Sequence, residues 1–257
     1  MNRECPFCNG STASTHPFKD TMFWECGGCG LFINLPMTDD QIKAKNKTML
    51  LSACHNEKNR IGRLKEAKEV QVATIEDNLF YQEDRPDPVK VYDVGAASGF
   101  FMKAAEEAGW WVYGNEVSTS AIAWAKDHYG LNIEYGVLED IIFHDMTGHN
   151  GFFHNETYDA VVLWNTLEHT RNPQSTLQCC WDMLVPGGLI YIKVPNKKTA
   201  EELKSQYKIV HLFEFTDECL CKHLEYMGFE QVEIERNEVN PRSGVVAGVY
   251  LYRKPLQ

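Results

Sequence analysis

From Val89 onward the apolar positions fall in short blocks that alternate with amphipathic stretches. Val89–Val94, Trp111–Glu116, Ile133–Tyr135, Tyr158–Trp164 and Gly188–Val194 read as strands, because each is a short run dense in apolar, β-branched or aromatic residues. Phe100–Ala108, Thr119–His128 and Pro173–Leu184 repeat their apolar residues at helical spacing. Strands that alternate with helices connect through right-handed crossovers, which implies a mostly parallel sheet. The rhythm changes near the end. A helix over Asp217–Met227 is followed by a strand over Gln231–Arg236, the breaker run Asn240-Pro241-Arg242-Ser243-Gly244 and a last strand over Val245–Arg253. The expected fold for residues 89–257 is therefore α/β, a seven-stranded, mostly parallel sheet closed by an antiparallel C-terminal hairpin.

Upstream the pattern differs. Between Thr38 and about Tyr81 the chain is polar and Lys-rich, with Ile61, Leu64, Ala67, Val70 and Ile75 at helical steps, so residues 37–88 read as a helical lid or linker. Arg85-Pro86-Asp87-Pro88 breaks that helix before the main domain. Residues 1–36 carry two C-x-x-C pairs, Cys5-Pro6-Phe7-Cys8 and Cys26-Gly27-Gly28-Cys29, and Leu35-Pro36 ends the segment. Two such pairs can each wrap one face of a tetrahedral ion, and Gly10 and Gly30 let the chain turn tightly beside the sulfurs. A thioredoxin-like redox pair comes singly and within a βαβ context, so a structural zinc ribbon with ligands Cys5, Cys8, Cys26 and Cys29 is expected. The metal would supply the stability that so small a core lacks. The remaining cysteines, Cys54, Cys179, Cys180, Cys219 and Cys221, lack ligand spacing and read as small buried residues.

Composition narrows the function classes. A formal net charge of -11 argues against a nucleic-acid partner that would need a broad basic surface. The local run of Lys43, Lys45, Lys47, Lys58, Arg60, Arg63, Lys65 and Lys68 reads first as a solvated helix face. With neither an export signal nor an apolar run of membrane-spanning length, the expected location is cytoplasmic, away from membranes. Oligomeric state is left open.

The first crossover carries the chemistry. Asp93-Val94-Gly95-Ala96-Ala97-Ser98-Gly99 joins an apolar strand to the helix that starts at Phe100, a place where amides and a helix N-terminus face a ligand. A dinucleotide fingerprint would have its second and third glycines at Ala97 and Phe100, so close approach of a pyrophosphate is impaired. Glu116 ends the next strand, where a carboxylate can accept hydrogen bonds from both ribose hydroxyls.

These features resemble the Rossmann-like class I methyltransferases, and the likeness runs from Val89 to the C-terminus. Tyr158-Asp159-Ala160-Val161-Val162-Leu163-Trp164-Asn165-Thr166-Leu167-Glu168-His169 resembles that family's "FDvV...LEH" segment, Leu184-Val185-Pro186-Gly187-Gly188 its "LkPGG" turn, and Val194-Pro195-Asn196 its "PN". The knuckle ahead of this core resembles zinc-ribbon members that modify sugars or other small metabolites. The resemblance implies S-adenosylmethionine as cofactor and S-adenosylhomocysteine as product, with a small-molecule methyl acceptor. Asp93, Gly95, Ala96, Ala97, Gly99 and Phe100 would shape the methionine pocket and Glu116 would bind ribose. Val117, Leu138 and Glu139 would flank adenine, and Trp164 and Asn165 would lie on the sulfonium side.

Methyl transfer needs in-line alignment and often a base for the acceptor's proton. His169 beside Glu168 is one candidate. Quinone-type O-methyltransferases carry a Glu-x-x-Glu-His version that resembles a divalent-metal site; here Asn165 replaces the first carboxylate, and the Glu168-His169 pair also occurs where no metal is used. His211 is the second candidate, resembling the base of the zinc-ribbon sugar enzymes. Val210 stands where their orienting Glu would be, so the carboxylate is lost unless Glu214 substitutes; His211 could equally pack the loop before a helix capped by Thr216. The alternatives to a small-molecule methyltransferase are a nucleic-acid methyltransferase and a non-catalytic zinc-ribbon binding module. The first lacks the Asn/Asp-Pro-Pro-aromatic tetrad at Asn165-Thr166-Leu167-Glu168, and the second leaves the glycine loop and Glu116 without a purpose.

Overall fold

The protein is described from a computed structural model, which defines residues 4–18, 21–34, 57–79, 88–146, 157–196, 211–239 and 246–256. The Leu35-Pro36 stop, the helical pattern before residue 57, Cys54, Arg85–Asp87, Val210 and the turn at 240–244 lie outside those residues. Among the described residues no helix is long and apolar enough to cross a membrane.

The main sheet contains seven strands. In chain order they are β4 (Lys90–Val94), β5 (Trp111–Glu116), β6 (Glu134–Tyr135), β7 (Tyr158–Trp164), β8 (Leu184–Pro195), β10 (Glu230–Val239) and β11 (Val246–Arg253), arranged β10-β11-β8-β7-β4-β5-β6. The five strands from β6 to β8 run parallel. β11 inserts antiparallel between β8 and β10, so the expected hairpin completes the sheet with its first strand at the edge. The central parallel strands β4, β7 and β8 are buried on both faces, which explains their near-continuous apolar runs.

Alternate residues divide the core. Val91, Ala160, Val162, Leu189, Tyr191, Val249 and Leu251 face one layer, packed with Ala67, Val72 and Ile75 and with Phe101, Ala104 and Ala105 of helix α3 (Phe100–Glu107). Tyr92, Val161, Leu163, Ile190, Ile192, Val194, Tyr250 and Tyr252 face the other, against helices α6 (Pro173–Met183) and α7 (Asp217–Tyr226). Period-two alternation sends neighbouring residues to opposite faces. The upstream helix is α1 (Glu57–Glu66), a π-helical stretch Ala67–Val72 and α2 (Ala73–Leu79). Helix α4 (Thr119–Tyr129) starts at Ser118, whose hydroxyl accepts the Ala121 N–H, and ends at Gly130 in the left-handed region. Helix α5 is Leu138–Met146. Thr216 caps α7 by accepting the Cys219 N–H at 3.1 Å, the role expected of it.

The N-terminal segment forms β1 (Thr12–Phe18), β2 (Thr21–Cys26) and β3 (Phe32–Asn34), and its small antiparallel sheet takes a fourth strand, β9 (Phe213–Glu214), from the far end of the chain. Phe32 pairs with Glu214 and Ile33 with Phe213. Cys5, Phe7, Trp24, Leu31 and Ile33 belong to the same core as Phe215, Cys219 and Leu220. The ribbon and the main domain therefore share one apolar interior.

His223 of α7 lies in that interior, stacked on Phe7 with ring centroids 3.8 Å apart. Burial pushes its imidazole down to about 4 from an ordinary 6.5. The unfolded chain takes up this proton first on acidification, so stability should fall as pH drops from about 6.5 towards 4, by up to about 3 kcal/mol. Denaturant midpoints measured from pH 7 to 4 check this: His223→Phe should remove that part of the acid sensitivity, and a variant as acid-labile as the native chain would contradict it.

Candidate functional site

The carboxyl ends of β4, β5, β7 and β8 form one edge, the edge at which parallel α/β sheets hold ligands. After β4 the chain turns through Gly95, Ala97 and Gly99, all with positive φ (73°, 49° and 71°). The turn is closed by Ala96 N–H donating to Asn115 O at 2.9 Å and Gly99 N–H to Ala96 O at 2.8 Å. At Gly95 a Cβ would meet Thr166 Cγ2 at 2.6 Å and Oγ1 at 2.7 Å, so the loop is pressed against the start of the Leu167–His169 turn that follows β7. Thr166 has no signal of its own in the sequence; only the neighbouring glycine loop could have pointed to a close packing partner.

Glu116 ends β5 almost fully buried and is wired into that loop. Its Oε2 accepts the Ala97 N–H at 2.9 Å, and its Oε1 accepts those of Val117 at 2.7 Å and Ser118 at 2.8 Å. Burial raises its carboxyl while these three bonds lower it. Asp93, buried at the end of β4, is pushed up to about 8 by burial and by the charge of Glu116. Two acids confined together, with no counter-charge beside Asp93 among the described residues, favour a ligand that brings donors or positive charge.

The other expected cofactor residues are distributed as follows. Ala96 packs with Met102, Ala125, Leu131 and Ile133, and the Phe100 ring meets Trp124 and Tyr129. Val117 is 39% exposed beside Glu116. Leu138 is buried in the main core, and Glu139 accepts the Thr176 hydroxyl at 2.5 Å, tying α5 to α6. Trp164 carries the Lys193 ammonium 4.5 Å above its ring, and Asn165, exposed with φ 55°, donates its N–H to Lys193 O.

Beyond Thr166 the two candidate bases come together. The rings of His169 and His211 meet edge-on with centroids 4.9 Å apart, and one ligand atom from each lies within 4.8 Å of a Glu168 carboxylate oxygen. His211 Nδ1 and Glu214 Oε1 are 2.8 Å apart, both residues buried. Glu214 therefore supplies the carboxylate that Val210 does not. With that carboxylate ionised, Nδ1 carries the proton and Nε2 is the basic nitrogen. The same three residues offer a donor set that a divalent cation could use.

In the ribbon the sulfurs of Cys5, Cys8, Cys26 and Cys29 all lie within 4.8 Å of one another, with Cys5–Cys29 at 3.8 Å and Cys8–Cys26 at 3.4 Å. A tetrahedral ion with Zn–S bonds of about 2.3 Å needs sulfurs about 3.8 Å apart, so the set fits. The two knuckles repeat one geometry. Cys5 N–H donates to Gly10 O and Cys26 N–H to Leu31 O, while Asn9 and Gly30 occupy the left-handed position of each turn. Gly10 thus serves differently from Gly30: a Cβ there would lie 3.1 Å from the sulfurs of both Cys8 and Cys26. Phe7 N–H points at the Cys5 sulfur at 3.4 Å and Gly28 N–H at that of Cys26 at 3.3 Å, as thiolate ligands require. Of the cysteines read from the sequence as buried, Cys180 and Cys219 are so, while Cys179 and Cys221 are only half-buried.

Strand order, glycine loop and strand-end glutamate define a Rossmann-like domain with its ligand edge at the carboxyl ends of the strands. The chain belongs to the family of the methyltransferase domain, whose sequence profile matches residues 63–234. Among curated relatives, the ubiquinone biosynthesis O-methyltransferase of Shewanella sp. (strain ANA-3) is 32% identical over 108 residues, 42% of this chain and 44% of that protein. The mitochondrial ubiquinone biosynthesis O-methyltransferase of Rattus norvegicus is 27% identical over 174 residues, 62% of this chain and 48% of its own. The chain thus spans about half the length of these relatives. Among solved structures, the 1,6-didemethyltoxoflavin-N1-methyltransferase of Burkholderia thailandensis, with 1,6-didemethyltoxoflavin and S-adenosylhomocysteine bound, superposes with a TM-score of 0.58 at 17% identity, covering 95% of this chain and 100% of that one. A SAM-dependent methyltransferase from Archaeoglobus fulgidus gives 0.54 at 17% identity, over 74% of this chain and 97% of that one. Identities this low establish the shared fold.

Proposed function

We propose that the protein is an S-adenosylmethionine-dependent methyltransferase acting on an oxygen or nitrogen of a small-molecule acceptor. The observation that carries the reading is Glu116, buried at the end of β5 and hydrogen-bonded into the Gly95–Gly99 loop, a preformed carboxylate suited to accept from a ribose. The family's domain, the relatives named as O-methyltransferases and the neighbour holding S-adenosylhomocysteine support the cofactor.

Bound S-adenosylmethionine would supply a methyl group on a positively charged sulfur. Glu116 would hold the ribose hydroxyls, and Asp93, Gly95, Ala96, Ala97, Gly99 and Phe100 would shape the methionine pocket. Asp93 is suited to a cationic ligand, whose charge would draw its raised carboxyl back towards ionisation. Val117, Leu138 and Glu139 would flank adenine, with Trp164 and Asn165 on the sulfonium side. His211 would take the acceptor's proton at Nε2 while Glu214 steadies the imidazolium, and His169, the more exposed of the two histidines, would face the acceptor with Glu168 behind it. The four ribbon cysteines would hold a structural zinc ion. A second reading, favoured by the Glu168, His169 and His211 cluster, is that these side chains grip a divalent cation that binds the acceptor oxygen.

The test is a calorimetric titration with S-adenosylhomocysteine, followed by incubation with methyl-labelled S-adenosylmethionine and a cell extract fractionated by size. Saturable binding and label in the low-mass fraction are expected. His211→Ala should cut transfer by about a hundredfold with binding retained. Absence of binding would sink the proposal, label in RNA or DNA would turn it to the nucleic-acid alternative, and transfer abolished by a chelator that leaves the ribbon zinc in place would favour the cation.

A further inference from the structure

The ribbon does more than fold itself. β3 pairs with β9 through Phe32–Glu214 and Ile33–Phe213, so the carboxylate partner of His211 sits on a strand whose ladder is supplied by the ribbon. Just beyond that ladder Asn34, almost fully buried, grips the preceding turn with both of its donors. Its side-chain Nδ2 donates to His211 O at 3.2 Å and its main-chain N–H to Leu212 O at 2.9 Å. The opposite side of the turn is held by Leu212 N–H donating to Glu168 O at 2.9 Å. The His211-Leu212 backbone is thus clamped between the ribbon and the short turn that carries Glu168 and His169.

We infer that Asn34 is a positioning residue of the acceptor site, and that through it the zinc ribbon fixes His211 against Glu214 and beside His169. This rests on the reading of His211 as the proton acceptor. His169 ends a turn three residues long, and among the described residues the main chain at His211 and Leu212 is anchored by these bonds to Asn34 and Glu168. Without the Asn34 side chain, the His211 carbonyl loses a buried donor, and a shift of the turn by a fraction of an ångström would lengthen the 2.8 Å contact to Glu214. Displacement of a catalytic group on that scale costs rate without altering cofactor affinity.

The experiment uses the full-length, zinc-loaded chain and the variants Asn34→Ala and the isosteric Asn34→Asp. The first readout is the imidazole NMR spectrum: the native chain should show a downfield, slowly exchanging His211 Nδ1 proton, with nuclear Overhauser contacts between the Asn34 amide and His211. In both variants that proton should shift upfield or broaden away. The second readout is labelled methyl transfer to the low-mass fraction, expected to fall by about tenfold in kcat with S-adenosylhomocysteine affinity within twofold of native. A variant that keeps its zinc, its His211 proton and its transfer rate overturns the inference. Absence of the Asn34–His211 contact in the native chain overturns it too, independently of whether any variant folds. Failure of native protein to bind S-adenosylhomocysteine would instead strike the functional reading, because the imidazole readout does not depend on the cofactor.

Discussion

Replacing Gly95 with valine should reduce S-adenosylhomocysteine affinity by a hundredfold or more. Two penalties coincide at this position. The backbone has φ 73°, where an L side chain costs on the order of 1–2 kcal/mol. A Cβ would also stand 2.6 Å from Thr166 Cγ2 and 2.7 Å from Oγ1, so either the loop or the turn after β7 must retreat. Retreat of the loop would withdraw the Ala97 N–H from Glu116 and so disturb the proposed ribose carboxylate. The two penalties can be separated by a cycle with Gly95→Ala, Thr166→Ala and the double substitution. Thr166→Ala removes the two shortest contacts, leaving the Thr166 Cβ at 3.2 Å, so the double variant should recover part of the affinity that Gly95→Ala loses. Strict additivity in calorimetric titrations would mean that the Gly95–Thr166 contact is irrelevant to the site.

The second large effect is expected from the ribbon. Cys26→Ser, or removal of metal with a strong chelator, should release one equivalent of zinc and lower stability by several kcal/mol, because binding energy at such a site is folding energy for a segment with little core of its own. Cys26 is 2% exposed, and the two knuckles pack Phe7 and Leu31 into the interior that also holds Phe215 and Leu220. The loss should therefore spread beyond the ribbon to β9, which takes its ladder from β3. Cys179→Ser, away from the ligand set, should leave the zinc content unchanged. Metal analysis and thermal melts decide the point. A native chain purified without bound metal, or a Cys26→Ser melt within two degrees of native, would remove zinc from this account.

Much of this molecule is legible in the chain because the informative patterns are short-range. The five parallel strands, helices α3, α4 and α6 and the C-terminal hairpin follow from local periodicities, whereas helix α5 has no counterpart among the expected elements and β8 begins at Leu184, ahead of the expected Gly188. The glycine loop, Glu116 at a strand end and the two C-x-x-C pairs are likewise local spacings. Thr216 as a helix cap is another, since its hydroxyl needs only the N–H three residues on.

Side-chain direction was less legible. Phe100 sits inside the motif, but its ring packs on Trp124 and Tyr129, and Glu139 is bonded to Thr176, because neighbouring helices and not the motif decide where these groups point. Asn9 takes the left-handed turn that pairs with Gly30, while Gly10 is there for clearance beside two sulfurs, a distinction that needs both knuckles in place.

By itself the sequence determined the sheet, its ligand edge, the carboxylate at that edge and a four-sulfur cluster, since backbone periodicity and close spacing act within a few residues. Only the tertiary structure decided that Thr166 presses on Gly95, that Glu214 replaces the carboxylate missing at Val210, and that Asn34 holds the turn of His211 across a separation of 177 residues. Contacts at that distance leave no periodic trace in the chain. They arise when the two apolar faces of the sheet are buried and the ribbon is carried against the strand that bears Glu214.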